Sequence, residues 1–447
     1  MNFYNPYFTN FVQPKIINMK YLPIDHKLFI NNRKKICRKI PAGGLAIFNS
    51  NDVMPTNADG TMPFRQNNDL FWLSGVDQEE SVLVIFPSNA DKTQREILFL
   101  KETNAHIAIW EGSKLSKSEA FKTSGIESVY WLEELEKKLH ELMNKCNTVY
   151  LNKNIHSRAA AEVETRDDRF RKMISEKFSN VEIKEVAPIM HQLRTIKSDA
   201  EIALIQNACN ITEKGFRRIL PFIKPGVMEY EIEAELMHEF LNNRSSGFAY
   251  SPILGSSRNS CVLHYTENNK ECKNGDILLM DFGAEYANYA SDMTRTIPVN
   301  GKFTKRQKLV YNSVLRVMKE ATNMLRPGTL FKQYNAEIGK IMESELIALG
   351  LLKKHDIHKQ DPKNPLYKKY FMHGTSHYLG LDVHDVGDFD IPMQEGMVFT
   401  CEPGIYILEE ELGVRLENDI LITNKGPEDL MKEIPIESEE IESLMNA

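Results

Sequence analysis

The chain has 447 residues, too long for one ordinary hydrophobic core, so two domains are expected. With 42% hydrophobic and 26% charged residues it has a globular composition. Its net charge of −7 argues against a dedicated nucleic-acid binder, which presents a basic face. No apolar run approaches the roughly 18–20 residues that span a bilayer, which predicts no membrane partner.

The N-terminal stretch MNFYNPYFTNFVQPKIINMKYLP is aromatic but broken by Asn and Pro. It has neither the basic-then-apolar order of a secretory signal nor the Arg-rich character of a transit peptide. Residues 1–18 are therefore expected to form a poorly ordered extension, with Met19 as the true start. The six cysteines (Cys37, Cys146, Cys209, Cys261, Cys272, Cys401) contain no C-x-x-C. That spacing reads as reduced thiols in a cytoplasm, not as a disulfide framework.

Buried strands follow at GGLAIFN, SVLVIFP, EILFLK and NTVYLN, with an amphipathic helix in WLEELEKKLHELMNK. They predict an α/β domain over residues 1–185 and a second domain over 186–447. Ser198 followed by Glu201 forms a capping box that starts a long helix with an apolar stripe through Ile202, Ile205 and Cys209. A repeat then appears. Pro225-Gly226 separates one pair of helices and Pro327-Gly328 another. Gly275 leads by six to Asp281 and by two more to Gly283; Gly396 leads in the same steps to Glu402 and Gly404. Each acid has a later companion, Asp292 and Glu417. Two equivalent halves are expected, with four carboxylates converging at their centre. The tail from Glu437 reads as a solvated helix or frayed end.

A hairpin turn centred on Tyr286-Ala287 sets Asp281 directly opposite Asp292, with Cβ atoms about 4.5–5.5 Å apart. Like charges so placed repel unless a cation lies between them. Arg415, two residues before Glu417, points to the same side of its strand and is expected to hold a carboxylate in a bidentate contact. Among 12 histidines, His373, His377 and His384 fall within twelve residues, in FMHGTSHYLGLDVHDVG, and His264 precedes the first acid strand. Imidazole serves both as metal ligand and as proton carrier. Oxygen donors with one imidazole favour Mn²⁺, Co²⁺ or Fe²⁺ over Ca²⁺. Four carboxylates exceed what one catalytic zinc takes; two ions about 3.5–4 Å apart fit the count better.

The ordered set Asp281, Asp292, His377, Glu402 and Glu417, with MHGTSHYLGLDVHDVG and CEPGIY around it, resembles the metallopeptidases of creatinase-like, pita-bread fold, and among them the aminopeptidase P family. FRQNNDLFWLSGVDQEESVLVIFP resembles that family's N-terminal segment. The resemblance implies an N-terminal creatinase-like α/β domain and a C-terminal pita-bread α+β catalytic domain of pseudo-twofold symmetry. It implies a dinuclear aminopeptidase, usually with two Mn²⁺ ions, that releases the residue before a proline. Asp281, Asp292, His377, Glu402 and Glu417 are then the metal ligands, with Asp292 and Glu417 bridging. Glu402 also takes the proton of the attacking water and passes it to the leaving proline nitrogen. His264, His373 and His384 have catalytic roles and line the substrate pocket, His384 at the carbonyl under attack, with Tyr406 and Arg415 nearby. Peptides with an Xaa-Pro N-terminus, a homodimer or homotetramer and a cytoplasmic setting follow from the same likeness. Three alternatives are a prolidase of the same fold, restricted to Xaa-Pro dipeptides; a methionine aminopeptidase, which lacks a large N-terminal α/β domain; and a metal-free pita-bread binding protein or creatinase-like hydrolase, which would have lost ligands this chain keeps.

Overall fold

The structure, a computed structural model, describes residues 20–156 and 162–447; the reading of residues 1–18 and Met19 lies outside them. The chain divides into two compact units at Val186–Ala187, with Ile155 and His156 grouped with the second.

The first unit is built on six strands: β1 Gly44–Asn49, β2 Val82–Ile85, β3 Glu96–Leu100, β4 Ser128–Trp131, β5 Thr148–Leu151 and β6 Glu182–Glu185. They form one mixed sheet in the order β4-β3-β2-β1-β5-β6. Its helices are α1 Lys27–Cys37, α2 Asn68–Ser74, α3 Ala105–Glu111, α4 Lys117–Ser124, α5 Leu135–Met143 and α6 Arg166–Lys177. Every residue of β1 is buried, which is why it reads as an unbroken apolar run and not as alternation. Leu45, Ile47, Val84 and Phe99 of the sheet pack with Leu139 and Leu142 of α5 and Ile174 of α6. The two edge strands were not among those expected. β6, with sequence EIKE, carries three charges, as edge strands do to discourage further pairing.

The second unit opens with α7 Ala187–Thr195, α8 Asp199–Ile219 and α9 Glu229–Asn242. The capping box is formed: Glu201 Oε2 accepts from the Ser198 N–H at 2.9 Å and from its hydroxyl at 2.7 Å. The strands β7 Ile253–Ser256, β8 Ile277–Phe282, β9 Glu285–Tyr286, β10 Tyr289–Ala290 and β11 Met293–Pro298 complete the first half. The second half runs through α10 Lys305–Met324, α11 Phe331–Ala348, β12 Val398–Cys401, β13 Gly404–Ile407, β14 Leu412–Arg415, β15 Asn418–Thr423 and β16 Gly426–Asp429. The antiparallel pair β8/β11 in one half corresponds to β12/β15 in the other.

The repeat extends to the hydrogen bonds. The Gly226 N–H donates to the Cys272 carbonyl at 2.9 Å, and the Cys272 N–H returns to Val227 at 2.9 Å. In the second half the Gly328 N–H donates to Met393 at 2.9 Å, and the Met393 N–H returns to Thr329 at 2.8 Å. Both glycines have positive φ, +96° and +91°. Cys272 and Met393 each stand three residues before the glycine that leads to the acid, so the two carboxylate strands are launched from the same frame.

The hairpin differs from expectation by one residue. Its turn residues are Ala287 and Asn288, both at positive φ (53° and 67°), as a two-residue I′ loop requires. Tyr286 therefore pairs with Tyr289, and Asp281 with Thr294 rather than with Asp292. Asp292 becomes the diagonal neighbour of Asp281, two residues before its partner and on the same face. Between the two ladders Gly283 faces Ser291 so closely that a Cβ there would lie 1.7 Å from the Ser291 carbonyl oxygen. The C-terminal helix Ser438–Met445 is docked, not frayed: Ile441 is buried, and Glu442 accepts from the Phe303 N–H at 2.9 Å.

None of the six cysteines is paired. Among the described residues no helix is long and apolar enough to cross a membrane.

Candidate metal centre

The carboxylates sit at strand ends. Asp281 lies near the end of β8, Asp292 just before β11, Glu402 just after β12 and Glu417 just before β15. Backbone bonds fix them there. The Asp292 N–H donates to Asp419 Oδ2 at 3.0 Å, the Glu402 N–H to the Thr375 carbonyl at 2.8 Å, and the Glu417 N–H to the Thr294 carbonyl at 3.1 Å. His377 comes from the long connection before β12, held by its N–H on Thr400 Oγ1 at 3.2 Å. Its Nδ1 meets the Tyr378 carbonyl at 3.0 Å, which assigns the ring proton to Nδ1 and leaves the Nε2 lone pair free to bind. Nε2 lies 3.4 Å from Asp292 and 3.6 Å from Glu402. Ligand atoms of Asp292, His377 and Glu417 all fall within 4.8 Å of one another.

Tyr250 ties the first pair together: its hydroxyl stands 2.6 Å from Asp281 and 2.5 Å from Asp292. Arg415 touches Asp281 through Nη2 alone, at 2.5 Å. The bidentate contact expected of it does not form, because its fork is shared out. Nη1 donates to the Tyr406 hydroxyl at 2.8 Å and Nε to Thr294 Oγ1 at 3.1 Å, and Thr294 in turn donates to Glu417 at 2.7 Å. One guanidinium thus connects acids from both halves.

So many buried acids resist ionising together. Burial first, and then the neighbouring carboxylates, push Asp292 and Glu417 well above the usual carboxylate range. Glu402 is raised to about 7, by burial and by Asp292 and Asp281, against the pull of His377 and Arg415. Without a cation the cluster retains protons. A divalent ion would displace them and repay the desolvation of the carboxylates. Oxygen donors, one oriented imidazole and suppressed ionisation together fit a hard or borderline divalent metal.

Around the acids, His373 reaches the Tyr406 hydroxyl through Nε2 at 2.8 Å and the Gly374 carbonyl through Nδ1 at 2.7 Å. Burial and the Arg415 charge lower its pKa to about 4, keeping it neutral. The His384 ring meets that of His377 edge to face at 4.4 Å between centroids. His264 is exposed, yet near enough for its charge to bear on His373.

Residues 203–424 match the model of metallopeptidase family M24, and residues 29–150 that of the aminopeptidase P N-terminal domain. The Xaa-Pro aminopeptidase of Escherichia coli (strain K12) is 35% identical over 437 residues, covering 95% of this chain and 98% of that protein. The chain belongs to the aminopeptidase P branch of metallopeptidase family M24. Proline aminopeptidase P II from Yersinia pestis superposes with a TM-score of 0.85 at 32% identity, over 95% of this chain and 100% of that one. Aminopeptidase P from E. coli with the inhibitor Pro-Leu does so with a TM-score of 0.85 at 33%, over 95% and 99%. The fold is accordingly that of an M24 pita-bread domain preceded by the aminopeptidase P α/β domain, and the chemistry is that of a metallo-aminopeptidase using divalent metal.

Three groups in this M24 peptidase escaped sequence reasoning: Tyr250, Thr294 and Asp419. Thr294 and Asp419 each lie two residues beyond an acid, and strand alternation puts them on its face. Tyr250 has no such cue, being 31 residues from Asp281.

Proposed function

We infer that this peptidase is an Xaa-Pro aminopeptidase, removing the N-terminal residue from peptides whose second residue is proline. The observation that carries the reading is the cluster of buried Asp281, Asp292, His377 and Glu417 with half-buried Glu402, in a chain matched almost end to end by an Xaa-Pro aminopeptidase. These five side chains would hold two divalent ions, most readily Mn²⁺, with Co²⁺, Fe²⁺ or Zn²⁺ as substitutes, and Asp292 and Glu417 would be the ligands shared between them. When bound, such a pair supplies Lewis acidity and makes water nucleophilic near neutral pH.

The protein's own groups do the rest. Glu402, whose side chain is 19% exposed, takes a proton from water and returns it to the departing proline nitrogen. His384 donates to the carbonyl oxygen as charge builds on it. Neutral His373, linked to Arg415 through Tyr406, and His264 on the exposed side bound the substrate. A proline after the cleaved bond lacks an N–H and fixes φ, so a pocket shaped to that imide selects it. A homodimer or homotetramer acting in the cytoplasm completes the proposal.

The test is hydrolysis of an Xaa-Pro-Xaa tripeptide against the Xaa-Pro dipeptide, on metal-stripped protein reloaded with Mn²⁺. Tripeptide cleavage that requires the added metal is expected. Cleavage of the dipeptide alone would make the chain a prolidase. Cleavage unaffected by stripping would remove the metal assignment.

A further inference from the structure

The residue after His384 has no part in the chemistry above, yet it is among the most deeply placed charges in the unit. The Asp385 side chain is 2% exposed and is gripped by two cations, Arg194 Nη2 on Oδ1 at 2.5 Å and Lys197 Nζ on Oδ2 at 3.2 Å, themselves 5% and 1% exposed. Although burial works against it, the two cations hold the carboxyl below the ordinary carboxylate range. Both come from the opening of the unit, Arg194 in α7 and Lys197 just ahead of α8. Burying three charges is a poor route to stability, since apolar packing of the same volume often does as well. A specific placement is the better explanation.

What the clamp places can be followed along the chain. The Asp385 N–H donates to the Tyr378 carbonyl at 2.9 Å, the same oxygen that receives His377 Nδ1. The loop between them is closed by the Gly380 N–H on the Asp382 carbonyl at 3.1 Å. The Gly380 carbonyl accepts from the Ala290 N–H at 2.8 Å, two residues before Asp292. A Cβ on Gly380 would lie 2.1 Å from Asp385 Oδ2, so the loop is wrapped directly on the clamped carboxylate. We propose that Asp385, held by Arg194 and Lys197, is a positioning residue that locks the loop from His377 to His384 and so fixes the His384 imidazole against the metal-facing His377.

This rests on the reading that His384 acts in turnover, and a double-mutant cycle separates the two claims. Asp385→Asn should lower kcat about 10–100-fold, the range for outer partners of site ligands, with KM and bound Mn²⁺ unchanged. In the His384→Ala background the same substitution should cost nothing further, because the group it positions is gone. Equal losses in both backgrounds, or no loss in either, would overturn the proposal. If Asp385→Asn does not fold, Lys197→Gln, which leaves Arg194 on the carboxylate, runs the same cycle with the same outcomes. Normal turnover in His384→Ala alone would instead refute the role of His384, and this proposal with it.

Discussion

Tyr250 shows how much a single hydroxyl can organise. Its proton is shared between Asp281 and Asp292, and burial with those two charges pushes the phenol well up, so it remains a donor. Removing it leaves two carboxylates facing each other without an arbiter. Tyr250→Phe is expected to weaken Mn²⁺ affinity about 10–100-fold with unchanged circular dichroism, as measured by isothermal titration of metal-stripped protein. Asp281→Ala goes further. It deletes a proposed ligand and leaves the Arg415 Nη2 contact empty, so activity should vanish with lost metal while the fold survives; metal analysis and a thermal melt check both halves of that statement. The structure brings Asp292, His377 and Glu417 together, and spacing and context mark them among five candidate ligands, because ligands must come from residues that can donate electron pairs. Tyr250 was not legible in this way, because a lone tyrosine far along the chain carries no mark of what it will face.

At the level of elements, the hairpin carries the geometry. A turn placed one residue too early would set Asp281 opposite Asp292; the observed register sets them diagonally, with room for the Tyr250 hydroxyl between. The difference comes from Ala287 and Asn288 taking positive φ, which composition alone did not single out, since neither is glycine. Gly283 is the counterpart within the strand. Gly283→Ala would force the Ser291 leg away from a new methyl and spread the acids. Loss of thermal stability together with loss of bound Mn²⁺ is expected, both restored less by added metal than in the parent protein.

Over the whole molecule, the two halves bring four carboxylates to one place and leave three of them, Asp292, Glu402 and Glu417, costly to ionise. The consequence for pH can be worked out from Glu402. Its folded value is about 7 against an ordinary 4.5, so in metal-free protein the folded state holds the extra proton between those values. The associated stability is fully present below about pH 4.5 and is lost as pH rises through about 7; Asp292 and Glu417, shifted the same way, add to it. Metal-stripped protein should therefore melt at lower temperature as pH is raised across this window, and Mn²⁺ should reverse the loss at the upper end. A melting temperature that rises with pH in the stripped protein would contradict the electrostatic account.

Sequence alone determined what depends on local order: the capping box at Ser198, the doubled Pro-Gly and Gly-to-acid spacings, and the acids and histidines able to bind metal. These are short-range facts, set by turn chemistry and by which side chains carry lone pairs. Tertiary structure decided the rest: the diagonal register of Asp281 and Asp292, the division of the Arg415 fork among three partners, the Tyr250 bridge and the clamp on Asp385. The register follows from the turn conformation of Ala287 and Asn288, whereas the Tyr250 bridge, the Arg415 contacts with Asp281 and Thr294 and the clamp on Asp385 join residues well separated in the chain, which no local pattern encodes.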